Sequence, residues 1–246
     1  MNAWRLTLAH TRLMLRDLLR SPAYVIPTIF FPSMFFLIFA VPYARRVDRA
    51  DFVTLSYVAF AIIGVTLFQF GVGIAAERGR PWERYLRTLP VGAFVRFAAR
   101  IACALAFGLC AAALVALTAR LTTPMDFSPA QWLRLGLYAA AGAIPFVLFG
   151  IAIGYWASAR AAVPIANVFY LLLSFAGGLW LPPQFLPGIA ASISPYLPTR
   201  QFGELLWSIL GAGDAARALP ALAIYSLVFA VLAAIGYRRD ERTRYA

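Results

Sequence analysis

Long runs of apolar residues, separated by short arginine-rich stretches, dominate the chain. Six runs contain no Asp, Glu, Lys or Arg, and they are 19 to 25 residues long. A helix rises about 1.5 Å per residue, so each run can cross a hydrocarbon core of about 30 Å. Because backbone polar groups in lipid must be satisfied internally, we expect six transmembrane helices. They cover residues 22–44, 52–76, 101–119, 135–157, 161–181 and 218–237.

The composition agrees with this pattern. Hydrophobic residues make up 62% of the 246 residues and charged residues 13%, whereas a soluble domain has roughly 25% charged residues. We therefore expect an all-α membrane protein in which residues 1–246 form a single transmembrane domain.

The basic residues indicate the orientation of the chain. All 22 are arginine, and 15 of them fall on one side if the N-terminus is placed inside. Cytoplasmic loops carry an excess of positive charge, so both termini are expected to be cytoplasmic. The net charge of +12 does not indicate nucleic-acid binding, because the arginines flank apolar runs and form no separate basic domain.

The N-terminal stretch 2–20 is predicted to be an amphipathic helix at the membrane surface. Four arginines project within about 80° of one another at about 100° per residue, and apolar side chains occupy the other side. The alternative is a positively charged tail without further function. The arginines are Arg5, Arg12, Arg16 and Arg20, and the apolar residues are Trp4, Leu8, Leu15 and Leu18.

The loop 77–97 between the second and third runs is predicted to contain a short cytoplasmic helix. Pro81 suits the first turn of a helix and Pro90 the position after its end. Trp82, Tyr85, Leu86 and Leu89 follow the i, i+3, i+4, i+7 spacing of one apolar face, while Glu83, Arg84 and Arg87 point elsewhere. This face favours binding of a partner protein. The alternative is an interfacial loop with a tryptophan anchor.

The stretch 182–217 is apolar, but five prolines divide it into pieces too short to cross a membrane. An extracellular re-entrant helical hairpin fits this pattern better than a solvated loop does.

Several kinds of chemistry are not expected. Without lysine there is no Walker A loop, and there is no G-x-S-x-G or H-E-x-x-H motif. His10 is the single histidine, and it lacks the companions of a metal site. Gln69 and Asn167 are the most notable amides within the runs. Hydrogen bonds between helices and contact with a substrate are the two interpretations.

Two motifs resemble those of a known family, the membrane subunits of type-2 ABC exporters. One is an acidic residue, a glycine and a short helix that ends in Leu-Pro, here Glu77, Gly79, residues 82–88 and Leu89-Pro90. The other is a stretch of small residues, prolines and aromatics, residues 177–187 and 193–198. The order of surface helix, six spans, coupling helix and broken apolar hairpin is also similar over essentially the whole chain.

The resemblance implies a half-transporter in the bacterial plasma membrane. Two permease chains would enclose the route, and two separate ATPase subunits would bind ATP and Mg²⁺, so this chain would hold no cofactor. The cargo would be amphipathic or hydrophobic, such as a drug, a lipid or a glycan. The residues implied to contact the ATPase are Glu77, Gly79, Trp82, Glu83, Arg84, Tyr85, Leu86, Leu89 and Pro90.

Two other classes of protein remain open at this point. A passive channel or scaffold would need no ATPase, and it would leave the loop 77–97 without a purpose. A membrane-embedded enzyme that modifies lipids would require catalytic polar groups, and the sequence offers no such group.

Overall fold

The computed structural model describes residues 3–20, 22–47, 50–78 and 93–245, and these form helices joined by turns. α1 is Ala3–Leu19, and α2 is the run 22–47. α3 is Ala50–Glu77, α4 is Ala93–Thr122, α5 is Pro129–Trp156 and α6 is Ala159–Ala176. α7 is Gly188–Ile193, α8 is Pro198–Trp207 and α9 is Ala215–Tyr245. Single 3₁₀ turns cover Pro183–Phe185, Ser194–Tyr196 and Ser208–Leu210.

Five of the described helices are long and apolar enough to cross a membrane. They correspond to α3, α4, α5, α6 and most of α9, and a shorter apolar helix, Thr28–Ala44, lies within α2. The chain is therefore a multi-pass membrane protein. The exposed apolar side chains on α6 and α9, such as Leu172, Leu227 and Val231, suit contact with lipid.

α3 is the central helix of the bundle. Its residues from Val53 to Leu67 are all buried, and α2, α4, α5, α6 and α8 pack around it. A helix that is apolar on every side has to be enclosed by other helices or by lipid, and other helices of the same chain enclose α3.

Two glycines of α5 bring its backbone close to α3. A Cβ at Gly150 would lie 2.9 Å from the Thr66 carbonyl oxygen, and one at Gly154 would lie 2.7 Å from the Ile74 Cβ. Small residues four apart allow membrane helices to approach closely, and this approach holds the second half of α3 in place.

Polar side chains satisfy the backbone at the starts of the long helices. Ser128 and Gln131 form a reciprocal capping box at α5, and the Ser158 hydroxyl accepts from the Ala161 N–H at α6. The Asp214 carboxylate accepts a hydrogen bond of 3.0 Å from the Arg217 N–H at α9. These bonds replace backbone partners that the first turn of a helix lacks.

α8 is inserted between α3, α5 and α9 at the end of the bundle opposite α1. Its Trp207 is fully buried, donates to the Ser56 hydroxyl at 2.9 Å and stacks on Phe52 at 4.6 Å. α7 differs, because Ile189 and Ile193 are exposed. The predicted division of 182–217 into short helices is thus confirmed, although α9 already begins at Ala215.

α1 confirms the predicted N-terminal helix, and its four predicted arginines are exposed. The four apolar residues predicted for its other side differ in exposure, however. Leu15 and Leu18 pack against the helix core, whereas Trp4 and Leu8 are exposed. α1 lies against α4, where the Cys103 thiol donates to the Thr11 carbonyl at 3.6 Å.

The described helices do not end where the predicted spans do. The run 161–181 is not helical throughout, because α6 ends at Ala176 and Gly178 has a φ of 80°. Residues 93–97 of the predicted cytoplasmic loop belong to α4. α9 continues beyond residue 237 to Tyr245. A helix does not stop where its sequence becomes charged, and a pair of glycines can end one inside an apolar run.

A glycine-to-alanine substitution, which adds a single methyl group, tests the close approach of α3 and α5. Replacing Gly154 with alanine places a Cβ 2.7 Å from the Ile74 Cβ and 2.8 Å from the Phe70 carbonyl oxygen, and neither atom can rotate away. We expect a loss of stability of about 1–3 kcal/mol, which is usual for overpacking. Thermal unfolding of the purified protein in detergent measures this loss.

The matched control is Gly136→Ala in the same helix, where no atom lies within 4 Å of the new Cβ. It should unfold at or above the temperature of the unmodified protein. Equal unfolding temperatures for the two variants would show that α3 and α5 do not touch at Gly154.

Candidate functional site

A cavity of about 1000 Å³ lies between α1, α2, α3 and α6. Its volume is large enough for an organic molecule of drug size or for part of a lipid. The walls are formed by the C-terminal end of α1, the first half of α2, the second half of α3 and the middle of α6. We call it the inner cavity.

Two of the helices that line the inner cavity contain wide π-helical turns. In α2 these are Ile26–Phe30 and Phe36–Ala40, and in α3 the turn is Leu67–Val72. Local sequence explains the departure from α geometry. Prolines interrupt the hydrogen bonds of α2, and the Thr66 hydroxyl donates to the Ile62 and Ile63 carbonyls just before the turn of α3. Such π-helical turns often mark functional sites.

The two amides predicted for a substrate route line this same cavity. Gln69 lies in the π-helical turn of α3, where it is 4% exposed, and Asn167 lies three helices later in α6. The Asn167 amide donates to the Val163 carbonyl of its own helix at 3.2 Å, so this bond is not the interhelical one considered above. A side-chain carbonyl can accept further hydrogen bonds from a ligand.

Aromatic rings form much of the remaining wall. Phe31, Phe35, Phe68 and Tyr170 line the cavity. Tyr170 stacks on Phe60 at 4.5 Å, and Phe68 meets the Tyr170 ring edge-to-face at 6.0 Å. These contacts fix the aromatic wall in position, and such rings offer a large apolar contact area.

A second aromatic group adjoins this wall. Trp180 lies 5.8 Å from Phe35 and 5.6 Å from Phe60, measured between ring centroids. Trp180 belongs to the predicted motif of residues 177–187, whereas Tyr170 was not predicted from the sequence. The i, i+3, i+7 spacing of Asn167, Tyr170 and Ser174 was the available signal, since it defines a face of α6 that is more polar than the rest.

Charged groups lie at one end of the inner cavity. Asp17 and Arg20 of α1 and Glu77 of α3 contribute to the lining. Arg20 was predicted as part of the membrane-surface helix, and the structure places it beside the cavity as well. Arg5, Arg12 and Arg16 are exposed on α1 and do not line the cavity.

Glu77 is the one predicted ATPase-contacting residue that the structure describes. It ends α3, and its carboxylate forms an ion pair with Arg100 of α4. The other predicted residues lie outside the described ranges. They are Gly79, Trp82, Glu83, Arg84, Tyr85, Leu86, Leu89 and Pro90.

The arrangement suits non-covalent binding of a molecule that has an apolar body and a polar group. The rings provide apolar area, Gln69 and Asn167 provide hydrogen-bonding amides, and the charged groups lie at one end. Within the residues that the structure describes, no three His, Cys, Asp or Glu side chains come together as metal ligands.

Comparison with known proteins identifies the chain. The model of the ABC-2 type transporter family matches residues 5–210, which include α1 through α8. A putative transport permease of Bacillus subtilis (strain 168), YvfS, is 25% identical over 234 residues, and the match covers 92% of this chain and 95% of the relative. ATP-binding cassette ATPases are the partners that this family implies. The chain belongs to the ABC-2 type transporter family and is the membrane subunit of an ATP-binding cassette transporter.

Proposed function

We propose that this chain is half of the membrane domain of an exporter. This chain and a second permease chain, identical or related, enclose the route, and two ATPase subunits bind ATP and Mg²⁺ beneath them. The observation that carries the proposal is the inner cavity, which contains both predicted amides and extends to Glu77 at the end of α3. α3 therefore contributes both to the cavity that would bind the cargo and to the predicted contact with the ATPase.

The proposed topology has six spans, with α2 as the first, and places both termini in the cytoplasm of a bacterial cell. The arginine distribution supports it, because Arg78, Arg100 and Arg239 lie at one end of the bundle, the end that also holds α1. On this topology α7 and α8 form the extracellular re-entrant hairpin. The burial of α8 among three longer helices supports that assignment.

The proposed cargo is an amphipathic or hydrophobic molecule, of the drug, lipid or glycan-like classes. Gln69 and Asn167 would hydrogen-bond its polar part, and Phe31, Phe35 and Tyr170 would contact its apolar part. Amides bind without changing their charge, so these hydrogen bonds give specificity for the cargo but supply no energy for its transport. The energy comes from the ATPase.

The proposed route of that energy is the cytoplasmic segment that contains Trp82, Tyr85 and Leu86. The ATPase grips this apolar face, and closure around ATP moves the end of α3 and with it one wall of the inner cavity. The membrane-surface helix α1 follows, since it packs on α4 and lines the cavity at Asp17 and Arg20.

Access of water to the inner cavity provides the first test of this proposal. In protein lacking Cys103 and Cys110, a cysteine in place of Asn167 should react readily with a charged maleimide, because thiolates form and react in water. The measurement is the labelling rate of the purified protein in lipid nanodiscs.

A cysteine in place of Leu172 is the matched control. It lies on the same helix, is 62% exposed and faces away into the apolar surroundings. It should label far more slowly than the Asn167 variant. Equal rates, or faster labelling at Leu172, would mean that the cavity is not the aqueous route.

Docking of the ATPase provides a second test. Aromatic anchors at protein interfaces commonly cost about 2 kcal/mol or more when truncated, and rim charges cost less. Trp82→Ala combined with Leu86→Ala should therefore weaken co-purification of the ATPase, or abolish stimulated ATP hydrolysis, at unchanged permease expression. Arg80→Ala, which removes a charge expected at the rim of this contact, should have a milder effect. If none of these changes matters, the segment has no role in coupling.

A further inference from the structure

Two adjacent residues at the end of α3 attach it to three other helices. Glu77 pairs with Arg100 of α4, and Arg78 contacts the end of α5 and the last part of α9. Both residues come immediately before the segment 79–92, which lies outside the described residues.

Arg78 donates three hydrogen bonds to groups on other helices. One guanidinium nitrogen, Nη1, donates to the Tyr155 carbonyl and to the Asp240 carboxylate at 3.1 Å. The other, Nη2, donates to the Ala157 carbonyl. The side chain of Arg78 is 12% exposed and that of Asp240 is 6% exposed. Burying two such charges is costly, and the ion pair together with the two carbonyl hydrogen bonds offsets this cost.

The two carbonyls belong to the C-terminal end of α5. The last carbonyls of a helix have no partner in the helix, and they carry its partial negative charge. A guanidinium has a planar fork of donors that can bind two carbonyls and a carboxylate at once, which an ammonium cannot do in the same geometry. Arg78 therefore acts as the C-terminal cap of α5, although it lies 77 residues away from Tyr155 in the sequence.

α5 and α9 are themselves firmly joined at this end. The Trp156 indole donates to the Leu232 carbonyl at 2.9 Å, and the Arg239 guanidinium lies 5.5 Å from the centroid of the Trp156 ring. Tyr155 and Tyr237 meet edge-to-face at 5.4 Å. Arg78 thus binds to a pair of helices that are joined to each other at this end.

The Glu77–Arg100 pair joins the end of α3 to α4. Glu77 ends α3, and Arg100 lies about two turns into α4. Because Arg78 follows Glu77 directly, the same end of α3 is held to α4 by one side chain and to α5 and α9 by the other.

We propose that Arg78 is the positioning residue that transmits movement of the end of α3 to α5 and α9, acting through Asp240 and the C-terminal carbonyls of α5. This rests on the proposed function, because the movement itself comes from an ATPase. Removing the guanidinium should leave the ATPase bound and active and should disconnect it from the inner cavity.

The experiment follows the inner cavity in the complex purified with its ATPase subunit. A cysteine replaces Asn167 in protein lacking Cys103 and Cys110, and a charged maleimide reports its labelling rate with and without ATP and vanadate. In the parent complex ATP should change this rate. Arg78→Gln should abolish the change while ATP hydrolysis and co-purification persist. Asp240→Asn should reduce it, and the double variant should be no worse than Arg78→Gln.

Arg238→Gln is the matched control, since Arg238 is an exposed arginine of α9 two residues before Asp240. It should keep the full response to ATP. A full response in Arg78→Gln would overturn the inference and leave the proposed function intact. If the parent complex shows no response at all, the proposed function fails as well. Should Arg78→Gln not assemble, a full response in Asp240→Asn overturns the inference.

Discussion

A backbone amide in hydrocarbon finds no water to bond, and this constraint governs the whole structure. It turns every apolar run into a helix, encloses α3 among its neighbours and requires each helix end to have a partner. Ser128 and Asp214 meet this need at two helix starts, and Arg78 meets it at the end of α5. Where regular α-helix geometry is lost, in the π-helical turns of α2 and α3, the backbone borders the inner cavity.

The same constraint keeps charge out of the membrane and thereby restricts how the protein can be driven. The six apolar runs contain no Asp, Glu, Lys or Arg, so they lack the carboxylates whose titration commonly couples transport to a proton gradient. Charged groups collect instead at the helix ends, where Glu77, Arg78, Arg100 and Asp240 contact one another in pairs. On this account, mechanical force enters at that end and reaches the cavity through α3.

Much of this architecture could be predicted from sequence, because the bilayer directly determines the length of hydrophobic runs and the side on which arginines lie. Gln69 and Asn167 were recognisable as rare amides in apolar surroundings, and the structure brings both to one cavity. The end of α6 was missed, since the Gly177–Gly178 turn falls within an uncharged run. The contact of Arg78 with Asp240 spans 162 residues, and no local sequence pattern predicts contact between residues so far apart in the chain.

Comparing two sources of energy tests the central claim most directly. In sealed proteoliposomes, the labelling rate of a cysteine at Asn167 is measured under ATP with the ATPase subunit present, and under an imposed proton or sodium gradient without it. Our account predicts that ATP changes the rate and that a gradient alone does not. A change in labelling under the gradient alone would contradict the account, because a chain with uncharged spans would then have drawn energy from ions.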